Sequence, residues 1–122
     1  MKKIFFLCGM MFLGGAVNTQ AQEANIPDFS PEAQQGYALF RENCVKCHGA
    51  QALGTGMGPP LLHPFYRPGH HDDVALARAL THGVEPHHWD FGPMPVIDAI
   101  RPEDIPKIIA FIRELQRANG IK

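Results

Sequence analysis

The sequence predicts an all-α fold, three main helices joined by long loops that wrap around something held in common. Three observations carry this expectation. Ser30-Pro31-Glu32 is a helix start: a capping Ser, Pro in the first turn, then an acid near the positive end of the helix. Near the other end of the chain, Ile105, Ile108, Ile109, Phe111, Ile112 and Leu115 recur at helical spacing. Between these segments glycine and proline are plentiful, 12 and 11 in 122 residues, so long stretches of backbone are loop.

A chain of this length makes one small domain. Its 45% hydrophobic content excludes a disordered chain. A formal net charge of −1 argues against a nucleic-acid partner, which needs a basic face. So small a domain, with so much loop, buries little apolar surface and needs a staple: a disulfide, a metal or a bound cofactor.

Residues 1–21 read as a secretory signal peptide. Lys2 and Lys3 form a positive start, Ile4 to Val17 an apolar run, and Ala21 the small residue before the cut. As an uncleaved anchor that run is short against the roughly 20 residues of a membrane span. Cys8 is discarded with the leader. Residues 22–122 then form the domain, exported and soluble in the periplasm, without stable membrane insertion after cleavage. Losing Lys2 and Lys3 leaves nine basic residues against 12 acidic, a net of −3. Two cysteines remain, Cys44 and Cys47, in an oxidising compartment.

The first helix is predicted over Pro31 to Asn43, with Tyr37, Leu39 and Phe40 on its apolar side. Gly36 lies one turn before Phe40, where another helix backbone approaches closely. Cys44-Val45-Lys46-Cys47-His48 follows at once. Zinc is a poor reading, because a structural site wants four ligands and no second cysteine pair exists. A thioredoxin-like redox pair belongs after a buried strand, and none precedes it. A disulfide across four residues is strained and staples almost nothing. Haem attachment fits all three side chains. Two thiols on one side of a helical turn reach one edge of a porphyrin, and the next residue aims an imidazole at the iron. A shuffled chain of this composition yields about 0.004 such motifs, so chance offers little competition.

Gly49 to His71 is a long loop, rich in Gly and Pro, of the kind that wraps a ligand. Asp72 or Asp73 caps a helix through His82, with Val74, Ala77, Leu80 and Thr81 inward and Gly83 ending it. Val84 to Arg101 is a second loop. It holds Met94 between Pro93 and Pro95, whose rigid backbone leaves the thioether little entropy to lose. Met94 is therefore the candidate sixth ligand of the iron. Met57, in a glycine-rich loop, and His63, His82, His87 or His88 are the other options. The last helix runs from Glu103 to Ala118, with a looser lead-in because Pro106 fits only a first turn. Lys107, Arg113, Glu114 and Arg117 face water, and the apolar stripe packs on Gly36 and Phe40.

In this order the parts resemble a class I cytochrome c over nearly the whole of residues 22–122. Gly36 to Phe40 running into Cys44-Val45-Lys46-Cys47-His48, then Gly58-Pro59-Pro60-Leu61, then Met94-Pro95, then a final helix with Phe111 and Leu115, match its motifs. The resemblance implies the cytochrome c fold and one covalent haem c on Cys44 and Cys47. It implies His48 and Met94 as axial ligands, and a Pro59 carbonyl that accepts the Nδ1–H of His48. It implies a one-electron carrier working between donor and acceptor proteins, without catalytic residues. An enzyme or sensor with an open sixth site is the alternative, as is a carrier with accessory copper on its His-rich loops. Arg41, Lys46, Arg67, Arg78 and Lys107 are candidates for a docking surface, although a net of −3 makes strong basic steering a poor expectation.

Overall fold

The computed structural model describes residues 22–122, and the predicted leader lies outside the described residues. Four helices follow one another: α1 (Pro31–Asn43), α2 (Val45–His48), α3 (Asp73–His82) and α4 (Ile105–Ala118). Two 3₁₀ turns interrupt the loops, Pro64–Tyr66 and Pro102–Asp104. Among the described residues there is no strand, only isolated bridges.

The α1 start follows its capping signal. Ser30 Oγ accepts the Ala33 N–H, and Pro31 occupies the first turn. The same serine is fastened across the fold. Its hydroxyl and its backbone N–H both donate to the Glu114 carboxylate, at 2.7 and 3.0 Å. Asn25, ahead of it, exchanges hydrogen bonds with Asn119 and donates to the Ala118 carbonyl. The segment before α1 is thereby laced to the end of α4.

The pairing of α1 with α4 is the main helix contact. It is close because Gly36 has no side chain. A Cβ there would stand 1.9 Å from the Lys107 carbonyl oxygen. Phe29, Tyr37 and Phe40 each pack on Phe111, ring centroids 5.0 to 5.2 Å apart. Offset and edge-to-face rings of this kind add about 0.5–1.5 kcal/mol a pair beyond their burial. Phe40, Phe111, Ile108 and Leu115 are fully buried.

Two expectations are corrected. In α3 the inward residues are Leu76 and Leu80, four apart, whereas Val74 is 64% exposed and Thr81 is exposed. Val74 and Thr81 lie seven apart on one face, and the Asp72 cap sets a register that turns that face outward. In α4 Arg113 does not face water; it is 7% exposed. Of its companions Arg117 is exposed, and Lys107 and Glu114 are half-buried. The lead-in to α4 forms the expected loose turn: Pro102–Asp104 is 3₁₀, with Pro106 in the first turn of the helix proper.

Candidate functional site

Cys44 ends α1 and begins α2. The N–H groups of Cys47 and His48 both donate to its carbonyl, at 3.2 and 2.9 Å. That single turn puts Cys44 and His48 on one face, and both line a central cavity. Cys47 is half-buried beside them; both thiols are free. Burial pushes the Cys44 thiol up to about 11, with Cys47 adding to the rise, so it stays protonated at neutral pH.

His48 is buried, and its Nδ1 lies 2.9 Å from the Pro59 carbonyl oxygen. A carbonyl only accepts, so Nδ1 carries the hydrogen and Nε2 keeps its lone pair. Burial holds the imidazole below its ordinary pKa, while the Pro59 bond opposes that shift. The side chain is buried and held in one orientation, with Nε2 as the nitrogen that could bind a metal.

Met94 reaches the same cavity from the second long loop. Its backbone is clamped to the end of α3: Met94 and Val84 each donate an N–H to the other's carbonyl, at 2.9 and 3.0 Å. Gly83 makes the approach possible. Its φ is +72°, and a Cβ there would fall 2.5 Å from the Met94 carbonyl oxygen. The methionine is half-buried against the core.

The cavity measures about 540 Å³, inside the roughly 300–1,000 Å³ of ligand sites. Phe40, Leu61, Leu76, Leu80, Ile108 and Ile112 form its apolar wall. Two thiols at one end of a helix, a neutral imidazole, a thioether and a roomy apolar chamber make a donor set that fits a haem c. Met57 is 54% exposed and takes no part in the wall. Neither does His63, whose Nδ1 accepts the Phe65 N–H, nor exposed His82, which bonds Thr81. His87 and His88 do border the chamber, together with His70 and His71.

A family model described as Cytochrome c matches residues 33–116, about two thirds of the chain. The chain belongs to the class I cytochromes c. This cytochrome c matches no curated protein. Membership gives it the all-α cytochrome c fold described above and the family's business, haem-based electron transport between redox partner proteins. Cytochromes c generally carry electrons rather than catalyse reactions. No helix among the described residues of this one is long and apolar enough to cross a membrane.

Residue reasoning missed the polar network behind the chamber. Arg113 donates through Nε to Asp73 at 2.7 Å, through Nη1 to the Tyr66 carbonyl and Gln116 Oε1, and through Nη2 to the His71 carbonyl. Gln116 Nε2 donates to the carbonyls of Leu61 and Tyr66, both at 3.0 Å. The available signal was positional: Ile109, Ile112, Arg113 and Gln116 share one face of α4, so two polar residues stand at core spacing.

Proposed function

We propose that this cytochrome c is a periplasmic one-electron carrier. Its single haem is joined by thioethers to Cys44 and Cys47 and ligated by His48 and Met94. The observation that carries the reading is convergence: His48 at the end of α2 and Met94 from the loop after α3 border one apolar chamber with Cys44. When bound, the haem supplies the one-electron couple.

The chain's own residues do the rest. Cys44 and Cys47 would hold the group through thioethers, each S–H adding across a vinyl with nothing leaving. The Pro59 carbonyl keeps Nε2 of His48 unprotonated and raises the basicity of the ring. The Val84 ladder holds the backbone of Met94, so little ordering is left for its thioether. A methionine ligand favours the reduced state and lifts the potential. The wall of Phe40, Leu61, Ile108 and Ile112 keeps water from the chamber, which favours the less charged redox state.

The test is the absorption spectrum of the purified protein, oxidised and reduced, and of Met94→Ala. The wild type is expected to retain its pigment through acid extraction and to show the near-infrared sulfur-to-iron band. Met94→Ala is expected to lose that band and its high potential. A pigment freely extracted from the wild type refutes the covalent link. A Met94→Ala variant with an unchanged band and potential refutes the methionine ligand.

A further inference from the structure

Four histidines from two loops gather at the rim of the chamber, and the haem reading uses none of them. His70 and His71 precede α3; His87 and His88 lie in the loop that follows it. Ligand nitrogens of His70, His71 and His88 all lie within 4.8 Å of one another. His87 adds a fourth, its Nε2 3.4 Å from Nε2 of His71.

The hydrogen bonds around them set the tautomers. Nδ1 of His71 faces the Phe65 carbonyl, and Nδ1 of His87 faces the Glu85 carbonyl at 3.0 Å. Each carbonyl only accepts, so each Nδ1 carries a hydrogen and Nε2 is the nitrogen left to bind a metal. The two Nε2 atoms face each other at 3.4 Å, near enough to share one cation. A ring N–H donated to a backbone carbonyl is also the habitual outer support of a metal-bound histidine.

His70 and His87 are exposed, while His71 and His88 are half-buried and tied to the fold behind them. Arg113 holds the His71 carbonyl from behind, and Gln116 with Arg113 holds the Tyr66 carbonyl. Tyr66 in turn accepts the indole N–H of Trp89 at 3.1 Å, fixing the second loop. His88 stacks on Phe65 at 4.5 Å, with the ring planes 24° apart. The 3₁₀ turn Pro64–Tyr66 therefore registers both loops. Desolvation first, then the neighbouring histidines, hold His88 below its ordinary pKa.

We propose that His70, His71 and His88, backed by His87, form a second metal site that binds one divalent transition-metal ion of the imidazole-preferring class, copper(II) most tightly. Imidazole suits copper, zinc and nickel, and copper(II) stands highest in the divalent series for a given nitrogen site. His63 and His82 fall outside the site, and the two adjacent pairs, His70-His71 and His87-His88, form one cluster. The inference does not depend on Met94 ligating the haem iron; it requires only that His88 does not.

The test uses the haem-loaded, processed chain and copper(II) chloride, with a chelator competition for affinity and electron paramagnetic resonance for the ligands. The wild type and the control His82→Ala are expected to bind one copper per chain. Nitrogen splitting from histidines is expected, and excess magnesium should not displace the ion. His70→Ala and His88→Ala should each bind at least about tenfold more weakly, judged against the 10–100-fold cost of losing even a supporting partner. Their haem spectra should match the wild type, which also shows that they are folded. Any of three results overturns the site: no stoichiometric copper in the wild type, binding by His70→Ala and His88→Ala as tight as by the wild type, or a haem spectrum altered by His88→Ala while copper stays bound. The last would give His88 to the haem. A protein whose Met94→Ala spectrum refutes the methionine ligand can still pass this test, so the two readings fail separately.

Discussion

Arg113 stands where the apolar repeat of α4 invites a leucine, and every donor nitrogen it offers is engaged. No buried side-chain nitrogen or oxygen among the described residues lacks a partner. Arg113→Leu would keep the volume roughly constant but orphan carbonyls that it now satisfies. The expected loss is about 2–4 kcal/mol in chemical denaturation, with Arg113→Lys intermediate, because removing one partner costs the desolvation of those left behind. Glu114 carries a pH prediction. Its bonds from Ser30, side chain then backbone, hold its pKa below the ordinary 4.5. The folded state therefore favours the carboxylate: the stabilisation is complete above the unfolded value and lost as pH falls through the lower folded one. Between about pH 5 and 3 the wild type should lose stability more steeply than Glu114→Gln. Parallel curves would show that the Ser30 contacts contribute nothing. At this scale the Cys44-to-His48 motif stood out in the sequence as the proposed attachment site, and Cys44 and His48 do border the chamber with Met94. Cys44, Cys47 and His48 need only one turn of helix to converge, and the prolines on either side of Met94 mark its place. Arg113 was not legible, because a charged residue on an apolar stripe is ordinarily a solvated edge, and its distant partners lie between the Pro64–Tyr66 turn and the start of α3, about 40–50 residues away.

The helices reward the sequence rules unevenly. α1 begins at its Ser-Pro-Glu signal, and α4 ends before Gly120 as the stop signals indicate. The crossing at Gly36 was also readable, since a glycine inside an amphipathic helix weakens it by about 1 kcal/mol unless packing requires it. Gly36→Ala tests that trade. Helix propensity gains about 1 kcal/mol, but the new methyl falls on the Lys107 carbonyl, and such overpacking costs about 1–3 kcal/mol or more. A net loss is expected, read as a lower melting temperature with the haem in place; a rise would mean that α1 and α4 separate easily. The inner face of α3 was misread in part: Ala77 and Leu80 do pack inward, but Val74 and Thr81 face out and Leu76 stands in their place. Only packing against α4 decides between two such faces. The 3₁₀ turn at Pro64–Tyr66 left no clear mark, because three residues carry no period.

Across the whole molecule, a chamber of about 540 Å³ lies where a larger protein would place side chains. Contact between α1 and α4 is then asked to hold a domain much of which is loop. Without its cofactor such a chain should lose fixed packing while keeping part of its helix. The double variant Cys44→Ser/Cys47→Ser, produced under export, tests this. It is expected to lack retained pigment, bind a hydrophobic dye and show no cooperative thermal transition. A sharp transition equal to that of the pigmented protein would show that the core suffices alone. One residue at the chamber's edge lets these events be watched without any label. Trp89 is the chain's single tryptophan, and it borders the chamber next to His88. Its ultraviolet glow should be dark beside a strongly absorbing macrocycle, brighten as the chain opens, and in a pigment-free sample dim again if copper settles on its neighbours.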